Sequence, residues 1–246
     1  LARWRDSDLL ANFLRSKTAV AALIATLLMV GLAFASPWIA PQNPYDPAQL
    51  DLINSNLPPI WQADGQAPFY PGTDDQGRDV LSAVLYGLRL SLIVGVLGVV
   101  TSGILGIALG LIAGYAGGFL DTLIMRVADV QLTFPAILIA LVVDGVAKAA
   151  FDGALDVGPL IALIVVSIGL SFWVQYARTV RGSVLIEKNK DYVQAARLIG
   201  LSAPVIMVRH VLPNVTGPVF VIATINLALA IITEATLSFL GTGLPE

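Results

Sequence analysis

The chain has 246 residues, 57% of them hydrophobic and only 13% charged, with a mean hydropathy of +0.81; that balance excludes an ordinary soluble domain. The formal net charge of −3 conceals a segregation of acidic from basic segments. With no cysteine and a single histidine, His210, neither disulfides nor thiolate metal sites are available, and a transition-metal centre built from its own side chains is not expected.

Residues 1–17 carry Arg3, Arg5, Arg15 and Lys17 against Asp6 and Asp8. Trp4, Leu9, Leu10, Phe13 and Leu14 recur at helical spacing, which predicts a short amphipathic helix on the membrane surface. Residues 18–36 are uncharged and long enough for a first span, since a bilayer core of about 30 Å takes about 20 helical residues. The rival is a cleaved signal peptide, because Ala33-Phe34-Ala35 resembles a small-residue cleavage site; the run exceeds the usual apolar length of about 7–15 residues, which favours an anchor.

Residues 37–85 are assigned to a large external loop. From 37 to 82 it holds Asp46, Asp51, Asp64, Asp74, Asp75 and Asp79 against Arg78, and its eight prolines predict ordered, irregular chain rather than helix. Its end, from Gly72 to Ser82, reads as a turn into a helix N-terminus. There Thr73 with Gln76 fits a capping box and the acids suit the positive end of the helix dipole; a partner-docking role is the second reading.

Residues 86–246 form the core. A second span is expected at 90–113, where Gly106 and Gly110, followed by Gly114, repeat every four residues and predict close packing against another helix. After a turn at Gly117-Gly118, a third span covers 119–146. In it Arg126 and Asp129 are three apart and expected to face one another, and Pro135 breaks a backbone hydrogen bond, giving either a pore-lining bend or a structural kink. Residues 144–158 are a second acidic loop, with Asp144, Asp152 and Asp156 against Lys148. A fourth span runs from 159 to 176. A polar insert, 178–213, follows with Arg178, Arg181, Lys188, Lys190, Arg197 and Arg209 against Glu187 and Asp191. A fifth span fits 215–240, interrupted by Asn226 and Glu234.

Loops rich in Lys and Arg stay in the cytoplasm. Four spans, an even number, separate the basic N-terminal segment from the basic insert, so both fall on one side and the two acidic loops on the other. Charge pattern and parity thus agree on a cytoplasmic N-terminus, and five spans put the C-terminus outside.

The insert holds Gln194-Ala195-Ala196, then Gly200, then Leu212-Pro213. That order and spacing resemble the EAA loop of ABC importer permeases, with Gln194 at the Glu position and His210 at the Ile position. The resemblance extends to the dipeptide/oligopeptide/nickel branch through Gly72-Thr-Asp-Asp-Gln-Gly-Arg-Asp-Val-Leu-Ser82, Gly114-Tyr-Ala-Gly-Gly118, Asp121, Met125-Arg126, Asp129 and Phe134-Pro135. Asp191 to Gly200, Arg209-His-Val-Leu-Pro-Asn214 and Glu234 to Gly241 add to it. It implies an all-α membrane protein, a type I ABC importer permease bundle, in the bacterial cytoplasmic (inner) membrane. Its members typically have six spans; the last would follow Ser-Phe-Leu-Gly and is missing here, so a longer parent chain is expected.

The resemblance further implies a homologous second permease subunit, two cytoplasmic ABC ATPase subunits and an external solute-binding protein. ATP and Mg would be bound by those ATPases and no cofactor by this chain, which contains no Gly-Lys dipeptide and hence no phosphate-binding P-loop. No nucleophile–base arrangement and no catalytic residue stands out, and no nucleic-acid binding is expected, because the basic residues lie where the positive-inside rule wants them. The coupling residues would be Asp191, Tyr192, Gln194, Ala195, Ala196, Arg197, Gly200, Leu212 and Pro213. Ala195 and Ala196 would permit close approach of the ATPase, Asp191 and Arg197 would make rim contacts, and Gly200 would supply a turn that a bulkier residue resists. Pro213 would end the second short helix or start the next span. Asp129, Gln131, Thr133, Pro135, Asn226, Thr233 and Glu234 are polar or kinking positions within spans that either face a translocation path or are structural; for Glu234 the reading favoured is a brace near the end of its span. The alternatives are an ion-coupled secondary transporter, against which no clear internal repeat is found, and a non-transporting membrane scaffold.

Overall fold

The computed structural model describes residues 8–150 and 157–240, and among these the chain is helical except for the segment after the first span and short turns. It divides into two compact units, Leu1–Leu92 and Ile93–Glu246. The elements are α1 (Asp8–Arg15), α2 (Lys17–Ile39), α3 (Val80–Ala116), α4 (Gly118–Leu132), α5 (Ala136–Ala150), α6 (Val157–Glu187), α7 (Asp191–Leu198), α8 (Ala203–Ile206) and α9 (Leu212–Phe239). A five-residue π-helical segment, Met207–Val211, joins α8 to α9.

In the first unit, α1 is the described part of the expected amphipathic segment. Ser16 separates it from α2, its hydroxyl accepting the Ala19 N–H at 3.3 Å as an N-cap does. The helix α2 is long and apolar enough to cross a membrane. It runs three residues past the predicted end, through Pro37, and the Ala40 N–H still reaches the Ser36 carbonyl at 2.9 Å.

The acidic loop is ordered by its own acids. Asp46 and Asp51 each accept a backbone N–H two residues on, at 3.1 and 2.9 Å, and each starts a single 3₁₀ turn. Asp74 gathers the N–H groups of Gln76 and Arg78 at 2.9 and 2.8 Å and pairs with the Arg78 guanidinium at 2.7 Å. Burial works to raise the Asp74 carboxyl, but the hydrogen bonds from Arg78 and Gln76 hold it below its ordinary range. Gly72 and Gly77 both have positive φ, and a side chain on either would run into a carbonyl, of Leu57 and Asp51 respectively.

The capping box is not formed. Thr73 is taken up by the loop, accepting from Leu57 N–H at 2.9 Å and donating to the Asn54 carbonyl. The cap of α3 is instead the fully buried Asp79, whose carboxylate accepts from both the N–H and the hydroxyl of Ser82 at 2.7 and 2.6 Å. The loop returns onto that first turn through Gln42, which donates to Ser82 and to the Gly77 carbonyl, both at 3.3 Å.

The span boundaries differ from the expected ones in one consistent way. The 37 residues of α3 would extend about 55 Å and the 31 of α6 about 46 Å, both longer than a bilayer core of about 30 Å. Falling hydropathy marks where a helix leaves lipid, not where it ends. The fourth helix therefore continues beyond Tyr176 to Glu187, and the 178–213 insert is a run of helices rather than a loop. Likewise 144–150 belongs to α5; Asp152 and Asp156 lie outside the described residues.

The third span is not one rod. α4 and α5 meet at about 95° across the break at 133–135. Pro135 has no N–H to continue the ladder, and the Thr133 hydroxyl turns back to the Val130 carbonyl at 2.6 Å. Two ties to α6 hold the bend. Gln131 donates to the Leu170 carbonyl and accepts from Trp173 Nε1 at 2.7 Å, and Ser171 donates to the Ala136 carbonyl at 3.1 Å. Among the described residues four helices are thus long and apolar enough to span singly, and the bent pair makes a fifth if counted as one.

The glycine stripe packs as expected, and its partner is α6. A methyl group placed on Gly110 would lie 2.6 Å from the Ala177 carbonyl oxygen and 2.9 Å from Val180 Cβ; one on Gly114 would lie 2.7 Å from Val184 Cβ. Backbone meets backbone along this seam. A cluster of Ala128, Trp173, Val174 and Ala177 brings α4 against α6 beside it.

Candidate functional site at the basic end of the bundle

The candidate coupling segment is built on α6. After Glu187 a turn at 188–190 reverses the chain, and Asp191 opens α7 where its charge suits the helix dipole. Two positions three apart, Val193 and Ala196, are 0% and 4% exposed, sunk into a cluster with Tyr176, Val180, Val184, Ile206, Val211 and Val215. Helical periodicity then turns Gln194, Ala195, Leu198 and Ile199 outward. Leu198 and Ile199 are 89% and 78% exposed.

The C-terminus of α7 is closed by Gly200. Its N–H bonds the Arg197 carbonyl at 3.0 Å and the Leu201 N–H bonds the Ala196 carbonyl at 3.2 Å, the paired 5→2 and 6→1 bonds of a Schellman turn. The turn needs a left-handed residue, and Gly200 has φ +86° with open space where a side chain would stand. The chain then enters α8 through Ser202 and Pro204 and continues to Phe239 as one apolar helical stretch. Pro213 lies at the start of α9, so of its two expected places it takes the one at the entry to the next span, beside Leu212.

Two residues of this helix have partners within the bundle. Ala196 faces its own scaffold, so its small size lets α7 seat on the bundle, and Ala195 alone of the pair is exposed. Arg197 reaches back to α3, with its guanidinium 5.0 Å from the Tyr115 ring centroid and Nε 3.2 Å from the Tyr115 hydroxyl.

Further ties bind the same end of the bundle. Lys188 donates to the Gly114 carbonyl at 2.7 Å, meeting a free acceptor near the C-terminus of α3. Arg181 holds Asp121 of α4 through two bonds, the second at 2.7 Å. Asp129 pairs with Arg178 of α6, not with Arg126, because the facing helix supplies a closer guanidinium than the spacing along α4 does. Glu187 is 7% exposed and accepts from the Tyr192 hydroxyl and, on its other oxygen, from Lys190 at 2.9 Å. Asn214 donates to Tyr192 Oη at 3.0 Å and to the His210 carbonyl at 2.8 Å. Burial of the hydroxyl, with the Glu187 carboxylate beside it, pushes the Tyr192 phenol up to about 12, so it carries its proton at neutral pH.

Tyr115, Arg181, Glu187, Lys188 and Asn214 were not among the expected site residues. The signal was there for two of them: Gly114-Tyr-Ala-Gly-Gly118 and the Asn214 ending both sit in stretches that carry the resemblance.

The candidate translocation residues occupy separate places. Asp129, Gln131, Thr133 and Pro135 cluster at the end of α4 and the bend, where the first three are engaged as described. On α9, Thr233 bonds its own helix at the Leu229 carbonyl at 2.8 Å. Asn226 is fully buried, near Tyr176, and Glu234, 4% exposed, accepts from the Ser238 hydroxyl at 3.0 Å.

Comparison with known proteins places the chain in a family. Residues 106–245 match the family described as binding-protein-dependent transport system inner membrane component. Residues 3–59 match the N-terminal TM domain of oligopeptide transport permease C. The chain is 40% identical to the di/tripeptide transport system permease protein DppC of Pseudomonas aeruginosa, over 94% of this chain and 72% of that one. It is 36% identical to the dipeptide transport system permease protein DppC of Haemophilus influenzae, over 94% and 74%. With the oligopeptide transport system permease protein OppC of Bacillus subtilis it shares 32% identity over 100% and 73%. The chain therefore belongs to the family of binding-protein-dependent transport system inner membrane components, as a multi-pass ABC importer permease subunit of the bacterial inner membrane.

Proposed function

We propose that this permease carries peptides, or a closely related small solute, across the cytoplasmic membrane. It works with a homologous second permease, two cytoplasmic ATPases and an external solute-binding protein. In this reading the N-terminal segment and α7 face the cytoplasm, the acidic loop faces outward, and ATP and Mg²⁺ are held by the ATPases alone. The observation that carries it is the two-sidedness of α7. Val193 and Ala196 root it in the bundle while Leu198 and Ile199 stand out at its tip. An apolar knob projecting into water is the mark of an interaction surface, and a rooted helix is what a lever needs in order to pass on the motion of a closing ATPase dimer.

Gln131 serves here to tie the bend to α6, Asp129 pairs with the same helix, Thr133 closes the last turn of α4, and Glu234 braces α9. Affinity for the solute rests with the external protein. The absence of cysteine from this sequence makes the test direct. With Leu198→Cys as the single thiol of these 246 residues, and any cysteine outside them replaced, a short bifunctional cross-linker should join the permease to the ATPase in the assembled transporter, and a membrane-impermeant thiol reagent added outside intact cells should leave it unlabelled. Labelling from outside, or cross-links that never include an ATP-binding subunit, would overturn the reading. The ligand that co-purifies with the solute-binding protein then identifies the solute.

A further inference from the structure

The apolar root of α7 does not by itself make a lever. Contacts through Val193 and Ala196 are non-directional, and a helix of eight residues held only by them is free to roll. The polar bonds beside them remove that freedom. The Tyr192 hydroxyl has one proton, which goes to Glu187 at the end of α6. Its oxygen accepts one amide hydrogen of Asn214 in the first turn of α9, at 3.0 Å, and the other amide hydrogen goes to the His210 carbonyl in the π-helical segment, at 2.8 Å. The His210 carbonyl also lies 3.3 Å from the phenol oxygen, but Glu187 is the nearer acceptor, and the buried Glu187 carboxylate is balanced by Lys190 on its second oxygen. A single phenol oxygen thus joins the coupling helix to the ends of both spans that flank it.

We infer that Tyr192, Glu187 and Asn214 form a latch that converts displacement of α7 into concerted movement of α6 and α9, with Tyr192 as a positioning residue that acts through the spans. The inference rests on the reading of α7 as the ATPase-coupling helix. It assigns to the hydroxyl a role separate from any contact with the ATPase, because the hydroxyl points into the permease. The π-helical segment suits the receiving end: its i→i+5 bonding, seen in the Leu212 N–H to Met207 carbonyl, leaves a widened turn in which the His210 carbonyl is held by a side chain.

Two measurements test it. In the purified permease, amide hydrogen exchange across 191–199 is compared for Tyr192→Phe, Glu187→Gln and the double variant. A latch predicts that the double variant loses no more protection than the more damaging single one; additive losses would overturn it. In the complete transporter reconstituted in proteoliposomes, with labelled dialanine as probe, uptake and ATP hydrolysis are read in the same vesicles. Tyr192→Phe should retain the bound ATPase while uptake per ATP falls roughly tenfold, within the range of coupling between hydrogen-bonded neighbours. An unchanged ratio would overturn the latch alone. A wild-type permease that binds no ATPase would overturn the reading on which the latch rests, and with it the transmission role, whatever the exchange data show.

Discussion

Gly110 and Gly182 are both helical glycines, and replacing each by alanine should change stability in opposite directions. In an exposed helix interior the change favours the folded state by about 1 kcal/mol, because alanine has less backbone entropy to lose. At Gly182 nothing lies within 4 Å of the new methyl, so that gain should appear whole. At Gly110 the methyl would sit 2.6 Å from the Ala177 carbonyl oxygen, 2.9 Å from Val180 Cβ and 3.1 Å from Ala177 Cα, where ordinary contact begins at 3.4 Å. The obstructing atoms belong to the rigid face of α6, not to a flexible side-chain tip, so the helices must part by about 0.8 Å or the carbonyl must tilt out of its ladder. Overpacking of this kind costs about 1–3 kcal/mol, and with a backbone obstacle the upper end applies; set against the propensity gain it leaves a loss of about 2 kcal/mol. For a chain of this size that is a fall of roughly 4–8 °C in melting temperature, against a rise of roughly 2–4 °C for Gly182→Ala. The assay is the fraction of purified permease that stays monodisperse in detergent after heating. Equal rises at both positions would refute the close approach of α3 and α6.

At Gly200 the strain is conformational only: Gly200→Val puts a β-branched residue at φ +86°, costs about 1–2 kcal/mol, and should free the last turn of α7, seen as faster exchange at 197–201 and as ATP hydrolysis uncoupled from uptake. Asp79→Ala removes the cap of α3 and should cost about 1 kcal/mol, with amides of the first turn, including Ser82, losing protection first. The Asp74 carboxyl is depressed in the folded loop, so its contribution is present above the ordinary carboxylate value of about 3.9 and is lost as pH falls through the lower folded value. Limited proteolysis of the 50–79 segment should therefore accelerate only in acid, and Asp74→Asn should flatten that dependence while exposing the segment at neutral pH.

The sequence made the number and order of apolar blocks legible because burial in lipid acts on every residue of a block at once. The glycine spacing likewise revealed a close-packed face, since a period of four places three small residues in one row. It could not name α6 as the partner: that contact joins positions some seventy residues apart. Polarity misled where it was taken as a helix end, at Arg178, because helices long enough to emerge from lipid change surroundings without changing conformation. Local spacing misled at Asp129, where the obvious neighbour Arg126 lost to Arg178 across the helix interface. Around α7 the motif was plain but its sidedness was not. Gln194-Ala195-Ala196 gives no sign, by itself, of which alanine faces inward until Val193 is seen beneath the same face as Ala196.

The cations at the end of the bundle have a consequence for anyone who manipulates topology. Arg181, Lys188 and Arg197 count toward the basic bias from which an inward orientation is argued, yet each also fastens one helix to another, to Asp121, to the Gly114 carbonyl and to Tyr115. Neutralising them to invert the protein in the membrane would dismantle the fold in the same stroke, and the two effects would look alike in a reporter fusion. Arg209, exposed on the π-helical turn, is the better place to edit charge. In this permease, insertion signal and rivet are often the same side chain.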